Sequence, residues 1–410
     1  MKQILGSVKQ ILGSVTAPKG FTASGVHCGI RKSKSKKDLA LIVSEVSATA
    51  AAVYTQNLVK GAPLIVTKKH LENGVARAVI CNSGNANTCN AGGEKIAEDV
   101  CNLLANALDI NATDVIVAST GVIGQKMELS PFERGIAPLV QALSKDADDA
   151  SEAIMTTDTV KKGVAVEFNL GGHVCRIGGI AKGSGMIHPN MATMLVFLTT
   201  DVDISAQMLQ KALSEDVKTS FNMISIDGDT STNDMLSILA NGLAGNGKIE
   251  SESDDFKEFC TALHQVTVTL CRMIAKDGEG ATKLLECCVE GAKDDENAKK
   301  IAKSVVMSSL FKAAMFGADA NWGRVLCALG YSGAATDVGK IDVSFKSSVG
   351  EIAVCSYGAG LPFDEDKAKE ILLRDEIQVH ILCRDGSGTA KAWGCDLTYD
   401  YVKINGDYRT

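Results

Sequence analysis

The sequence predicts an α/β fold, because strand-like and helix-like stretches alternate along most of the chain. Short apolar runs at 39–43, 78–80 and 115–118 are typical of buried strands. Longer stretches at 93–108 and 256–276 have apolar residues three and four apart, which is typical of amphipathic helices. The chain has 410 residues, of which 45% are hydrophobic and 22% charged. It can therefore build a large core, divided between two or three domains.

The remaining elements are expected from the same two periodicities, interrupted by glycine and asparagine turns. The last hundred residues mix the two patterns more loosely, and segment 293–300 is expected to be a charged linker. In chain order, the sequence predicts strands at 50–54 and 62–66, a helix at 146–155, strands at 163–168 and 173–177 that form a hairpin, a helix at 205–220, strands at 221–226 and 283–289, and a helix at 301–315.

Charge, hydropathy and cysteine usage exclude several classes of protein. The net charge of −7 and a single short basic cluster at 31–37 do not provide a basic face for nucleic acid. No run of about 18 apolar residues exists, so no membrane span is expected. The thirteen cysteines form no Cys-x-x-Cys pair, and the adjacent Cys287 and Cys288 suit neither a disulfide nor zinc. We expect free thiols in a reducing, cytoplasmic compartment.

The chain begins with a tandem repeat, because residues 2–8 and 9–15 both read Lys-Gln-Ile-Leu-Gly-Ser-Val. The apolar part is too short and too interrupted by glycine for a signal peptide. We interpret residues 1–15 as a duplicated leader without a function of its own, of the kind that is often poorly ordered.

The most informative segment is 182–201, in which a glycine-containing loop runs into an apolar stretch at 194–198. Thr193 therefore stands where an irregular loop becomes a buried strand. A threonine at such a position is either an ordinary strand-edge residue or a nucleophile.

A threonine nucleophile needs a base, because its hydroxyl is hardly acidic. His188 is either that base or an ordinary loop residue. Alternatively, scission of the Ala192–Thr193 bond would give Thr193 a free α-amine with a reference pKa of about 8, so that the amine is partly neutral near pH 7. That amine could deprotonate the hydroxyl of its own residue. The same hydroxyl could cause the scission by attacking the Ala192 carbonyl.

Acyl transfer also needs donors for the oxyanion. Ser119, Thr120 and Gly121 directly follow a predicted strand. They form either an oxyanion hole, with the Thr120 hydroxyl and the Gly121 N–H pointing into one pocket, or an ordinary turn that caps a helix.

Two further features each have two interpretations. Segment 227–234, Asp-Gly-Asp-Thr-Ser-Thr-Asn-Asp, is either a metal loop or a hydrogen-bonded turn beneath a site. It lacks the ligand spacing and the closing glutamate of an EF-hand, and we assign no metal ligands. Lys182 and Glu279 lie in glycine-flanked loops. They are either solvated charges or the groups that hold the two ends of a zwitterionic substrate.

The segment Gly-Met-Ile-His-Pro-Asn-Met-Ala-Thr-Met-Leu at 185–195 resembles the self-cleavage segment of the ornithine acetyltransferases, also called glutamate N-acetyltransferases, of arginine biosynthesis. The resemblance covers the chain from about Thr16 to Thr410. Further matching blocks stand at 81–87, 119–124, 155–159, 221–234, 317–324 (Gly-Ala-Asp-Ala-Asn-Trp-Gly-Arg) and in the tail 401–410.

The resemblance implies autocatalytic scission between Ala192 and Thr193 into an α chain, 1–192, and a β chain, 193–410. Thr193 is then the nucleophile, and Thr120 and Gly121 form the oxyanion hole. The doublet of Thr156 and Thr157 leaves one position ambiguous by a single residue. The substrate-binding residues that the resemblance implies are Thr156, Lys182, Thr193, Glu279, Asn405 and Thr410.

The implied fold is a layered α-β-β-α sandwich over 16–285 that contains the cleavage point, with a smaller C-terminal α/β domain over 286–410 that closes the site. The implied assembly contains two α and two β chains or more. The implied reaction transfers the acetyl group of N2-acetylornithine to glutamate without a cofactor. Some members of the family also accept acetyl-coenzyme A, and these residues do not decide that question.

Two other functions remain open from the sequence. The same fold is used by self-cleaving aminopeptidases, in which water receives the acyl group. The glycine-rich loops would also fit a non-enzymatic module that binds a nucleotide or a metal, although no Gly-x-x-x-x-Gly-Lys-Ser/Thr element supports it.

Overall fold

A computed structural model describes residues 8–188 and 194–406, and in these two stretches the strands form two β-sheets. Strands and helices are numbered in chain order. The nine strands of the first sheet are β1 (Lys9–Ile11), β2 (Phe21–Val26), β3 (Leu39–Tyr54), β4 (Val75–Asn82), β5 (Val115–Ser119), β6 (Lys162–Leu170), β7 (His173–Lys182), β8 (Leu195–Thr200) and β10 (Met235–Ala240).

The second sheet has seven strands in the described part of the chain. They are β9 (Ile224–Ser225), β11 (Leu284–Ala292), β12 (Asp342–Ser347), β13 (Gly350–Ser356), β14 (Ala359–Gly360), β15 (Glu376–Leu382) and β16 (Gly388–Cys395).

The α-helices of the described residues cover the two sheets and connect their strands. None of these helices is both long enough and apolar enough to cross a membrane. They are α1 (Ala62–His70), α2 (Gly93–Leu108), α3 (Ser130–Gln141), α4 (Asp148–Ala153), α5 (Ala206–Asp216), α6 (Asp254–Lys276), α7 (Asp295–Met307), α8 (Ser309–Phe316), α9 (Trp322–Gly330), α10 (Glu365–Leu372) and α11 (Tyr399–Gly406).

Both faces of the first sheet are buried, as β8 illustrates. Its order is β1-β6-β7-β8-β10-β3-β4-β5, with β2 paired to β3. Val196 and Leu198 belong to the core that also contains α5, α6 and the second sheet. Leu195 and Phe197 alternate with them and pack in a separate core on the opposite face. Because successive strand residues point to opposite faces, this apolar run is buried on both sides.

Helix α6 lies between the two sheets. It packs on β6 and β7 of the first sheet and on β11 and β16 of the second. Helix α7 also packs on β11 and β16, and α10 packs on β12 and β13. The predicted α/β class with layered sheets and helices is therefore confirmed. The division at residue 285 stays a prediction.

The expected strand at 62–66 is wrong, because these residues begin helix α1. Pro63 stands in the first turn, where a missing N–H costs nothing, and the extended Gly61 precedes it. Basic residues at 68–70 occupy the last turn. Five consecutive apolar residues do not distinguish a strand from a helix, and here the terminal signals were the better guide.

The expected helix at 301–315 is divided at Ser308, whose side chain accepts a hydrogen bond from the Phe311 N–H and so caps α8. The expected linker 293–300 is wrong for the same kind of reason, since the Asp294 side chain caps α7 by accepting from the Asn297 N–H. Segment 221–226 is a 3₁₀ turn followed by the two-residue strand β9, and the strands expected at 39–43 and 50–54 are one bulged strand, β3.

The second copy of the N-terminal repeat is part of the first sheet. Strand β1 pairs antiparallel with β6. Val15 is fully buried, and its carbonyl accepts a hydrogen bond of 2.7 Å from the Thr199 hydroxyl. The expectation of a poorly ordered leader is therefore wrong for residues 9–15, which join the first sheet through β1 and bury Val15. The thirteen cysteines are free thiols, as expected.

Candidate active site

Six of the residues singled out in the sequence line one cavity of about 350 Å³. The cavity lies near the ends of β5 and β7 and near the start of β10. It also borders the turn that precedes β11, and helix α11. Ala192, Thr193 and Thr410 fall outside the described residues. The six lining residues are Thr120, Gly121, Thr156, Lys182, Glu279 and Asn405.

The residues that flank the segment 189–193 are firmly held. Met194, the neighbour of Thr193 in the sequence, is buried, and its carbonyl accepts a 2.9 Å hydrogen bond from the Met235 N–H. On the other side, the carbonyl of His188 accepts a 2.8 Å bond from the Thr230 hydroxyl. Burial, aided by the charge of Lys303, lowers the pKa of His188 to about 4. So weak a base is poorly suited to activate a threonine.

The turn 119–121 is shaped by its backbone. The Thr120 N–H donates to the Asn82 carbonyl at 2.9 Å, and Gly121 has a φ of +130°. A Cβ on Gly121 would stand 2.3 Å from the Gly84 carbonyl carbon and 2.5 Å from the Asn85 nitrogen, so only glycine fits. The Gly121 N–H has no acceptor among the residues that the structure describes. No helix follows before Ser130, so the helix-cap interpretation of this turn is wrong.

Lys182 ends β7 as a buried cation. Burial lowers its pKa, and the negative charge of Asp158 opposes that shift. The Asp158 carboxylate accepts hydrogen bonds from Lys162 Nζ at 2.7 Å and from the Gly183 N–H at 2.6 Å. Burial would raise the pKa of Asp158, but the charges of Lys182 and Lys162 and these hydrogen bonds outweigh it and hold the pKa below its usual value.

A second buried carboxylate, from a part of the chain that follows the Ala192–Thr193 bond, joins this cluster. Lys162 Nζ also lies 2.5 Å from Asp277, and neither side chain of this pair is appreciably exposed. The Thr159 N–H and hydroxyl both donate to the same carboxylate. Lys162 therefore connects Asp158, two residues after Thr156, to Asp277, two residues before Glu279.

Glu279 is buried in another part of the cavity lining, where the Asn405 amide donates to its carboxylate at 2.7 Å. The Glu279 N–H donates to the Ser184 carbonyl at 2.8 Å. A Cβ on Gly185 would stand 2.3 Å from a Glu279 oxygen, so the glycine in this loop is what allows the carboxylate to approach. Lys182 and Glu279 are thus not solvated charges but buried groups of opposite sign that line one cavity.

The two neighbouring threonines differ in their contacts. The Thr157 hydroxyl is 2.6 Å from the Ser184 hydroxyl. The Thr156 hydroxyl has no hydrogen-bond partner in residues 8–188 and 194–406, while the Thr156 N–H donates to Asp158 at 3.0 Å.

The acidic segment 227–234 supports the loop at 186–187. Asp227 accepts hydrogen bonds from the Met186 N–H at 2.6 Å and from the Ile187 N–H at 2.9 Å. This is the hydrogen-bonded turn that was one of the two sequence interpretations. Among the described residues, no group of three or more His, Cys, Asp or Glu side chains is placed to hold a metal ion.

Sequence reasoning missed four residues that organise the cavity. Lys162 stands in a Lys-Lys-Gly stretch that looks like a solvated surface, and nothing in the local sequence indicates its burial. Asp158 and Asp277 are ordinary loop carboxylates by pattern. Asn233 lies within segment 227–234, for which the sequence suggests either a metal loop or a hydrogen-bonded turn beneath a site, and neither interpretation singles out this side chain. The one available signal was that Asp158 and Asn233 stand in the blocks 155–159 and 221–234, which match the family, and that the first of these blocks also contains Thr156.

Comparison with known proteins gives a consistent result over nearly the whole chain. A model of the ArgJ family matches residues 22–410. The arginine biosynthesis bifunctional protein ArgJ of Caldanaerobacter subterraneus subsp. tengcongensis is 50% identical over 402 residues, which are 97% of this chain and 99% of the relative. The bifunctional protein ArgJ 1 of Clostridium acetobutylicum is 51% identical over 95% of this chain and 96% of its own length.

A crystal structure of arginine biosynthesis bifunctional protein ArgJ from Bacillus halodurans is 45% identical, with a TM-score of 0.50. The match covers 98% of the solved chain but only 52% of the present one.

Proposed function

The chain belongs to the ArgJ family, and from that premise we propose that it transfers an acetyl group from N2-acetylornithine to glutamate in arginine biosynthesis. The group is carried as an ester on Thr193, and the transfer needs no cofactor. The observation that carries the proposal is the cavity itself. It combines a backbone donor at Gly121, which has no acceptor within residues 8–188 and 194–406, with buried charges of opposite sign at Lys182 and Glu279. An acyl transferase that takes amino acids needs these two kinds of group together.

Scission of the chain activates the nucleophile, because it gives Thr193 a free α-amine that can act as the base. The Thr193 hydroxyl attacks the Ala192 carbonyl carbon, the C–N bond breaks, and water hydrolyses the resulting ester to leave the Ala192 carboxylate and the free Thr193 amine. The division between 192 and 193 cuts the chain nearly in half. The half-length match of the solved Bacillus halodurans chain supports a two-chain enzyme.

The two chains stay together after scission, because the cut leaves the first sheet hydrogen-bonded. Strand β7 ends the α chain and β8 begins the β chain, and the two pair antiparallel from Lys182↔Leu195 to Ile177↔Thr200. We propose the full assembly as two α and two β chains. Thirteen cysteines without a disulfide support the cytoplasm as its location.

In the first half-reaction, the Thr193 amine takes the proton of its own hydroxyl, and the oxygen attacks the acetyl carbonyl of N2-acetylornithine. The Thr120 hydroxyl and the Gly121 N–H donate to the oxyanion of the tetrahedral intermediate. The C–N bond then breaks, and the Thr193 ammonium gives its proton to the departing α-amine of ornithine. Acetyl-Thr193 remains.

In the second half-reaction, the neutral α-amine of glutamate attacks the ester. The bond from the carbonyl carbon to the Thr193 oxygen breaks, and that oxygen regains a proton through the Thr193 amine. Lys182 holds the α-carboxylate that both substrates share, Glu279 accepts a hydrogen bond from their α-nitrogen, and Thr156, Asn405 and Thr410 complete the substrate contacts. Thr156 is the better of the two threonines for this role, since the Thr157 hydroxyl is engaged by Ser184.

The proposal is tested by mass spectrometry of the purified protein together with a transfer assay. Two chains that meet at Ala192/Thr193 are expected, along with acetylglutamate formed from N2-acetylornithine and glutamate. Thr193→Ala should remain one uncut, inactive chain, and Thr193→Ser should retain some scission. A fully active enzyme consisting of one intact chain contradicts the proposal. Free acetate in place of acetylglutamate would instead indicate a hydrolase.

The same assay with acetyl-coenzyme A and glutamate, but without N2-acetylornithine, determines whether a second acetyl donor is accepted. Formation of acetylglutamate would make the enzyme bifunctional, as the names of its relatives state for those proteins.

A further inference from the structure

Asn233 is the most highly connected polar side chain at the cavity. It lines the cavity and precedes β10. Its Nδ2 donates to the Ala86 carbonyl at 2.6 Å and to the Ser119 carbonyl at 3.0 Å. Its Oδ1 accepts from the Thr88 hydroxyl at 2.5 Å and from the Thr232 hydroxyl at 2.6 Å. All its ordinary hydrogen-bonding capacity is therefore used.

The orientation of this amide follows from its partners. A carbonyl oxygen can only accept, so the atom that faces the two carbonyls must be the NH₂ group. The two hydroxyls can donate, and they meet the amide oxygen. An aspartate in the same place would direct a carboxylate oxygen at two carbonyl oxygens, with no proton between them at neutral pH.

These contacts fix the peptide bond between Ser119 and Thr120 at both ends. Asn233 holds the carbonyl, and the Asn82 carbonyl accepts from the N–H of the same peptide at 2.9 Å. The next donor along the chain is the Gly121 N–H, whose direction depends on that peptide plane. Asn233 lies after residue 193, whereas the Ser119 and Ala86 carbonyls and the Thr88 hydroxyl lie before residue 192.

We infer that Asn233 is a positioning residue that aims the oxyanion donors of the turn 119–121 and does so across the junction between the two chains. The inference rests on the proposed function, because it concerns the same intermediate. In this role Asn233 acts through the backbone of the turn 119–121 and takes no part in recognition of the substrate. Its loss should therefore lower kcat and slow self-cleavage, which needs the same donors, and should leave KM for both amino acids unchanged.

The test compares Asn233→Asp with Asn241→Asp in the full-length chain. Asn241 is a matched control, because it is equally buried, directly follows β10 and donates to the Lys19 carbonyl at 2.9 Å. We expect Asn233→Asp to reduce kcat by about 10- to 100-fold and to slow scission, as displacement of preorganised groups does. Asn241→Asp should keep the kcat of the parent chain in its folded fraction.

A milder variant, Thr88→Val, decides the question should Asn233→Asp not fold. It removes one hydroxyl that orients the amide and leaves the donors of Asn233 in place. A smaller fall in kcat at constant KM supports the inference. An unchanged kcat in Asn233→Asp, a change confined to KM, or an equal fall in both asparagine variants overturns it. An inactive parent chain overturns the proposed function, and this inference with it.

Discussion

The two walls of the cavity are built in different ways. The wall that carries Thr120 and Gly121 follows β5, all five residues of which are buried, and it is fixed by backbone groups packed against Gly84 and Asn85. A second wall carries Glu279 and Asn405. Asn405 belongs to α11, a helix without a buried residue, and it reaches the cavity through one side-chain hydrogen bond.

This difference corresponds to the two tasks of the proposed reaction. The same oxyanion forms in both half-reactions, so a rigid wall can serve both. The amino acid that binds at the second wall changes from ornithine to glutamate between the two half-reactions. A wall built from side chains can adjust to either one, and a wall built from backbone cannot. Lys162 connects Asp158, two residues after Thr156, to Asp277, two residues before Glu279.

The largest effect is expected from Gly121→Ala, which breaks the rigid wall. The new Cβ would collide with the Gly84 carbonyl group and the Asn85 nitrogen. We expect kcat to fall by about 10²- to 10³-fold, the effect of losing an oxyanion donor, and scission to slow in parallel. Steady-state kinetics and the fraction of cut chain measure both.

Gly124→Ala is the control for this substitution. Gly124 also has a positive φ, +76°, but a Cβ there would meet nothing within 4 Å. It should cost about 1 kcal/mol of backbone strain and leave kcat intact. Equal losses of activity in the two alanine variants would show that the backbone contact at Gly121 is not the cause.

The next effect tests the buried ion pairs that Lys162 makes with Asp158 and Asp277. Lys162→Met leaves the buried carboxylates of Asp158 and Asp277 without their common cation. We expect the free energy of unfolding to fall by about 3–5 kcal/mol, as for other broken buried ion pairs, with a lower melting temperature. Lys161→Met is the control, since its pair with Asp148 is exposed and such pairs contribute about 0–1 kcal/mol. Similar melting temperatures for the two variants would contradict a structural role for Lys162.

A smaller effect is expected from Asn405→Ala on the adjustable wall. Loss of one hydrogen bond to the Glu279 carboxylate removes about 1.5–3 kcal/mol of support for that group. The KM for N2-acetylornithine and that for glutamate should both rise, and kcat should change little, because the contact serves binding and not the oxyanion. A fall in kcat at constant KM would reverse the roles assigned to the two walls.

The smallest effect concerns pH. Burial lowers the pKa of Lys182, and Asp158 opposes that shift. Asp158→Asn removes the opposing charge, so the pKa of Lys182 should fall further, and the alkaline limb of kcat/KM should move to lower pH. Asp148→Asn, which alters an exposed pair, should leave that limb in place. A limb that moves to higher pH, or moves equally in both variants, contradicts the coupling.

The lowered pKa of Asp158 also makes the free energy of unfolding depend on pH in the acid range. The folded pKa of Asp158 lies below its unfolded value. Its contribution to stability is therefore complete above a pH of about 4 and is lost as the pH falls towards the folded pKa.

The sequence was sufficient to predict those helices and strands that a local residue pattern determines. Helices α2 and α6 and the hairpin of β6 and β7 follow from periodicity alone. Helix α1 was mistaken for a strand, because five apolar residues satisfy both patterns and the proline signal was not weighed. The break at Ser308 depends on a single cap, which an apolar period does not reveal.

The same distinction, between what a local sequence pattern predicts and what it does not, applies to the residues of the site. Thr120, Lys182 and Glu279 line one cavity, and the roles that the family resemblance gives them stay predictions. Lys162 and Asn233 could not be predicted, since each acquires its role from partners far away in the chain. Lys162 lies 115 positions from Asp277, and Asn233 lies 147 from Ala86. Only the fold brings such residues together.

The central claim, that the acetyl group passes through Thr193, is tested most directly by the mass of the 193–410 chain after mixing with N2-acetylornithine in the absence of glutamate. The chain should become heavier by one acetyl group, located on the peptide that begins with Thr193, and addition of glutamate should remove it as acetylglutamate. An enzyme that transfers acetyl at its full rate while this chain stays unmodified would contradict the account.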